Sequence, residues 1–169
     1  QSTGSKDAQI LNHDVRNKDS IVARLVNGHS KEVCTLKWNS EYPILASGGN
    51  DNKVCIWDIR KSNAMNSGMK SIWNLIENKP SVNSNEINPI YVLTQHEAAV
   101  KALAWSPYNI NLLASGGGKK DHTIKFWNIE SGTLINSYNT GSQVCSTRTG
   151  SCKAYTYFTG RTSIAVRSM

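Results

Sequence analysis

One pattern is written twice in this chain, and that repetition narrows the possible folds more than any other feature. Gly28-His29-Ser30-Lys31-Glu32-Val33-Cys34-Thr35-Leu36-Lys37-Trp38 aligns with Gln95-His96-Glu97-Ala98-Ala99-Val100-Lys101-Ala102-Leu103-Ala104-Trp105. In both copies His precedes Trp by nine positions. Leu45-Ala46-Ser47-Gly48-Gly49 then matches Leu113-Ala114-Ser115-Gly116-Gly117, and Asp51 and Asp121 each stand six positions before Trp57 and Trp127. A unit this short cannot bury its own apolar face, so the copies must stack on one another.

Inside each unit the period is two, which predicts strands rather than helices. Val33–Trp38 and Val100–Trp105 alternate apolar with small or polar residues; Ile44–Ser47 and Leu112–Ser115 follow, then Val54–Asp58 and Thr123–Asn128. Ile21–Leu25, Ile90–Leu93 and Thr133–Ser137 offer a fourth, outer strand, each preceded by turn-forming or polar residues. Four antiparallel strands per unit make a propeller blade, so the expected fold is all-β, a partial β-propeller.

The rest of the chain divides around these units. Residues 1–26 read as the back half of an earlier blade plus an outer strand, with His13 where the units place Trp. Residues 27–60 form one blade and 90–140 the next with its outer strand, while 61–89, rich in Asn and Ser, read as an insertion loop. Residues 141–146 open a further blade. Residues 147–169 contain no Gly-Gly…Trp sequence and are expected to form a disordered tail. The break after Ser146 is abrupt enough to suggest a frameshift, a retained intron or an incomplete gene model. The first residue is Gln rather than Met, so a piece of a longer protein is expected.

Charge says less than its total suggests. The net charge is +7, but Arg148, Lys153, Arg161 and Arg167 fall in the acid-free segment 147–169, leaving +3 for residues 1–146. That is an ordinary balance, so no nucleic-acid partner is expected. No apolar run of 18 residues exists to form a spanning helix and the start resembles no signal peptide, so no membrane partner and an intracellular site are expected. Cys34, Cys55, Cys145 and Cys152 are 21, 90 and 7 positions apart, without a Cys-x-x-Cys pair. No metal site or cofactor is therefore predicted, and Cys34 and Cys55 are expected to pack in the core.

The repeated His, Ser, Asp and Trp resemble the recurring residues of a WD-repeat blade. His29, Ser47, Asp51 and Trp57 fill the four positions in the first unit, and His96, Ser115, Asp121 and Trp127 in the second. The resemblance implies that carboxylate, imidazole, hydroxyl and indole N–H join in one hydrogen-bonded chain across the strands. A catalytic Ser–His–Asp triad uses three of the same residue types, but it needs an oxyanion site and a cleft, for which the sequence shows no candidate. No catalytic residue is predicted. Gly48-Gly49 and Gly116-Gly117-Gly118 lack the phosphate-loop spacing and are expected to form tight turns.

A closer resemblance is carried by Gly28-His29-Ser30-Lys31-Glu32-Val33-Cys34, by Ala46-Ser47-Gly48-Gly49-Asn50-Asp51-Asn52 and by Ser142-Gln143-Val144-Cys145-Ser146. Together with Thr94-Gln95-His96 and Ala99-Val100-Lys101-Ala102-Leu103-Ala104-Trp105-Ser106-Pro107, these runs resemble the Fizzy and Fizzy-related family, from about Ser2 to Ser146. The family's members are WD-repeat activators of the anaphase-promoting complex. The resemblance implies a non-enzymatic protein of nucleus and cytoplasm that recruits degron-bearing substrates for ubiquitin-dependent degradation, with checkpoint or inhibitor proteins as further partners. It also implies that Asn50, Asn52 and Gln143 contact the KEN-box degron. Lys119 stands where the family usually has Thr, as a further contact. The family's N-terminal C-box and C-terminal Ile-Arg are not in this sequence. A generic WD-repeat scaffold, or a truncated remnant without function, is the alternative reading.

Overall fold

Four sheets follow one another along the chain in the computed structural model, which describes residues 1–14, 16, 21–60, 86–149, 154–159 and 163–167, with side chains as far as residue 147. The described residues form fifteen strands and no helix. The first sheet contains β1 (Ser2–Gly4), β2 (Ile10–His13), β3 (Ile21–Leu25) and β7 (Glu86–Ile87), in the order β1-β2-β3-β7. The second runs β4 (Val33–Trp38), β5 (Ile44–Gly49), β6 (Val54–Asp58), β8 (Tyr91–Leu93). The third is β9 (Val100–Trp105), β10 (Leu112–Gly117), β11 (Thr123–Asn128), β12 (Thr133–Asn139), and the fourth β13 (Val144–Thr149), β14 (Ala154–Thr159), β15 (Ser163–Arg167).

The sheets stack face to face, and this explains why β5 and β6 are buried along nearly their whole length. Side chains alternate across a strand, so each blade feeds two cores. Leu45, Cys55 and Trp57 meet Ile10, Leu25 and Ile87 of the first sheet. Ala46, Val54 and Ile56, one residue out of phase, meet Val100, Leu103 and Trp127 of the third. Ala102, Ala114, Ile124 and Phe126 then pack with Val144 of the fourth.

Spacing between blades is set by one repeated contact. A methyl group on Gly4 would lie 2.7 Å from Val33 Cγ1, and one on Gly48 would lie 2.8 Å from the Val100 carbonyl; Gly116 faces Val144 in the same way. Each is the glycine of a strand that meets the first residue of the next blade's inner strand, where no Cβ fits.

The inner strands share a second device. Val33 pairs with Gly49 but Thr35 with Gly48, so Cys34 is an unpaired bulge residue; Lys101 and Cys145 hold the same place in β9 and β13. All three are exposed. The bulge corrects the expectation of a buried Cys34. Cys55 is buried, and desolvation pushes its thiol up to about 12.

Three boundaries also differ from the sequence reading. Tyr91–Leu93 pairs antiparallel with β6, so it closes the second sheet instead of opening the third. Glu86–Ile87, at the end of the segment read as loop, pairs parallel with Arg24 and Leu25. Residues 61–85 of that segment lie outside the described residues. The segment expected to be a disordered tail contains β14 and β15 and the end of β13. Its Tyr155, Thr156, Tyr157, Phe158 and Thr159 are aromatic or β-branched, the residue types that suit a pleated surface.

Candidate peptide-binding site

The repeated polar residues come together as the WD-repeat resemblance implies. Trp57 Nε1–H donates to Ser47 Oγ at 2.8 Å, Ser47 Oγ lies 2.8 Å from His29 Nε2, and His29 Nδ1 lies 3.0 Å from Asp51 Oδ1. In the third sheet Trp127 Nε1–H donates to Ser115 Oγ at 2.7 Å, Ser115 Oγ lies 2.6 Å from His96 Nε2, and His96 Nδ1 meets the Asp121 carboxylate. The first sheet keeps a remnant, with Thr3 Oγ1 at 3.1 Å from His13 Nε2 where the units have Ser and Trp.

Proton counting fixes the state of the second set. Ser115 Oγ accepts from the indole, so its single proton is free to go to His96 Nε2, which must then be bare. A protonated His96 would give Ser115 two incoming donors, and among the described residues its hydroxyl has no other acceptor. Burial accordingly lowers the His96 pKa, against the opposing pull of Asp121. Burial alone would raise Asp51 and Asp121, yet both lie below the usual carboxylate value. The Ser30 N–H and His29 outweigh burial at Asp51, and the Thr123 hydroxyl and His96 do so at Asp121. Ser47 and Ser115 are fully buried, so neither hydroxyl can reach a substrate.

These sets anchor one end of the sheets. Asp51 also accepts the Ser30 and Lys53 N–H groups, tying the loop before β4 to the β5–β6 turn. The residue after each turn Asp is left-handed: Ala8 at φ 66°, Asn52 at 65° and His122 at 54°. Asn tolerates that geometry, so turn formation accounts for part of Asn52's role.

The candidate residues Asn50, Asn52, Lys119 and Gln143 all stand in turns or loops at this end. Asn50 Nδ2 donates to Glu32 Oε2 at 2.9 Å, and its main-chain N–H donates to the Glu32 carbonyl at 2.8 Å. Asn52 Nδ2 reaches into the next blade and donates to the Glu97 carbonyl at 3.2 Å. Each amide therefore has one N–H committed within the protein, and its second N–H and its carbonyl oxygen are left for a ligand. Lys119 is exposed in the β10–β11 turn, whose main chain is fixed by Asp121 and His122 N–H groups on the Gly118 carbonyl, both at 3.1 Å. Gln143 precedes β13, half-buried, after Gly141 at φ 68°. Glu32 and Glu97, which position the two asparagines, were not singled out from sequence; their only signal was closeness to His29 and His96.

At the opposite end a cleft of about 280 Å³ lies among Lys37, Trp38, Leu103, Trp105, Pro107 and Thr147. Thr147 occupies the strand position of Leu36 and Leu103, and its buried Oγ1 has no hydrogen-bond partner among the described residues. A small side chain where the units place leucine explains the space. Among the described residues no group of His, Cys, Asp or Glu is arranged to hold a metal ion, and no helix is long and apolar enough to cross a membrane.

Known proteins show the same repeats. The family described as WD domain, G-beta repeat matches residues 20–58 and 87–128. Protein FIZZY-RELATED 3 of Arabidopsis thaliana is 44% identical over 144 residues, 85% of this chain and 24% of that protein. The anaphase-promoting complex subunit cdc20 of Dictyostelium discoideum is 46% identical over 145 residues, 86% of this chain and 24% of that protein. The chain thus spans about a quarter of the length of these curated relatives. Among solved structures, a chain in the crystal structure of a mitotic checkpoint complex superposes with a TM-score of 0.79 at 37% identity, covering 99% of this chain and 45% of that one.

Proposed function

Because this chain belongs to the Fizzy and Fizzy-related family of WD-repeat proteins, we propose that it serves as substrate-recognition surface of an activator of the anaphase-promoting complex. On this reading it binds KEN-box degrons in extended form and performs no catalysis itself. It acts in the nucleus and cytoplasm, with the anaphase-promoting complex, degron-bearing substrates and checkpoint proteins as its partners.

The observation that carries the reading is the convergence of Asn50, Asn52, Lys119 and Gln143 at one end of adjoining blades, each on a turn tied down by hydrogen bonds or flanked by one. Asn50 and Asn52 keep amide oxygens free to accept N–H groups of a peptide, and preorganised turns reduce the ordering cost of binding.

The test is fluorescence anisotropy of a labelled Lys-Glu-Asn peptide titrated with the 169-residue chain. Saturable binding is expected, weakened by about tenfold in an Asn50→Ala, Asn52→Gly variant, in which roughly two amide hydrogen bonds to the peptide are removed. Glycine at 52 keeps the left-handed turn, and thermal melting of the variant separates weaker binding from unfolding. Equal binding of a scrambled peptide, or undiminished binding by a folded variant, would contradict the proposal.

A further inference from the structure

The charge at this end of the blades is uneven. The β10–β11 turn has two more residues between its second glycine position and its Asp than the β5–β6 turn, and Lys119 and Lys120 are part of that extra length. Both are exposed, on a main chain held by the Gly118 carbonyl. Lys31, exposed, and Lys53, half-buried, belong to loops at the same end. Among the described residues none of these four lysines has a carboxylate partner within ion-pair distance.

The acidic groups nearby do not cancel them. Asp51 and Asp121 turn inward onto His29 and His96, with side chains only 3% exposed. Glu32 is engaged by Asn50. Glu97 is exposed, but it sits on the Asn52 side of the short segment 97–99, whereas Gly118, next to Lys119, packs on the Ala99 carbonyl at that segment's other end. A ligand crossing from Asn52 toward Lys119 therefore passes from a carboxylate to a pair of unpartnered ammonium groups.

We propose that this end of the blades selects extended peptides with an acidic side chain beside the segment that Asn50 and Asn52 hold, Lys119 and Lys120 supplying the counter-charge. The inference rests on the peptide-binding reading above and adds a specificity to it. Lys119 and Lys120 are specificity-determining residues in this scheme, and the field of Lys31 and Lys53 favours the same sign of ligand at longer range.

The experiment compares labelled peptides that share the Lys-Glu-Asn box and differ in flanks, two aspartates against two serines, with an aspartate-flanked scrambled box as third probe. The aspartate-flanked box peptide is expected to bind roughly three- to tenfold more tightly than the serine-flanked one, as two exposed ion pairs allow. That ratio is expected to shrink as salt rises from about 50 to 300 mM and to fall to about one in Lys119→Thr, Lys120→Ser. Equal affinity for the two box peptides overturns the charge selection while leaving the peptide-binding reading in place. A ratio that survives in the double variant overturns the assignment to Lys119 and Lys120. If the scrambled peptide binds as well as the box, the degron reading fails and the charge selection stands. A short oligonucleotide that displaces the peptide with the same lysine dependence would overturn the choice of an acidic peptide as ligand.

Discussion

Ser115 is the residue on which the second polar set turns. Its hydroxyl accepts a hydrogen bond from the Trp127 indole N–H and donates its own to His96 Nε2, inside the core. Ser115→Ala strands an N–H and an imidazole nitrogen, so we expect a loss of about 2–3 kcal/mol in urea unfolding. Acid should have a related effect. His96 titrates below its ordinary value of 6.5 in the fold, so the unfolded chain binds more protons once the pH drops beneath 6.5. The stability tied to His96 is therefore complete above that pH and lost as pH falls through the lowered value. Asp51 and Asp121, lowered from 3.8, add a second loss that sets in only below that value. Denaturation midpoints measured from pH 8 to pH 3 should fall in these two stages, the first absent in a His96→Gln variant that still folds. Most of this was legible, because Asp and His at fixed distances from Trp announce the set. The partners of Asn50 and Asn52 were not, since Glu32 and Glu97 come from loops that only the stacking of blades brings near.

Strands are the scale at which the sequence read best, and also where it failed most instructively. Val33–Trp38, Val54–Asp58, Val100–Trp105 and Thr123–Asn128 stand as expected because alternation, glycines and tryptophans all agree. Glu86–Ile87 has no periodicity of its own; its strand exists because Leu25 and Ile87 share a core. Burial of Cys34 is what a free thiol in an apolar run leads one to expect, and a bulge takes it out of the ladder and leaves it exposed instead. The strands after residue 150 escaped the sequence reading because they lack the Gly-Gly…Trp pattern, and their own signal is only a short alternation of tyrosine with threonine. Element spacing gives its own prediction. Gly48→Ala pushes a methyl group onto Val100 and its carbonyl, so the variant should lose about 1–3 kcal/mol although Ala suits a strand better than Gly. A variant as stable as the parent would show that the glycine does not set the blade spacing.

Across the whole molecule the blades do two separate jobs. Their faces make the cores, which the His–Ser–Trp sets brace, and their ends carry the turns that hold the candidate peptide contacts. Asn50, Asn52 and Gln143 lie at one end, whereas Trp38, Trp105 and Thr147 line the cleft at the other. Thr147 is also where the third copy of the inner-strand pattern stops: Val144, Cys145 and Ser146 follow the pattern, and Thr147, Arg148 and Thr149 replace Leu, a variable residue and Trp. Residues 144–149 thus keep the strand and the bulge of the other units although the last three no longer match them in sequence. The central claim, that ligand peptides bind at the Asn50 end, is best tested by hydrogen–deuterium exchange of the full chain with and without the Lys-Glu-Asn peptide. Slower exchange confined to residues 50–53, 97–99, 118–122 and 141–143 is the predicted result. Protection centred on residues 37–40 and 104–107 instead, or no change at saturating peptide, would contradict it.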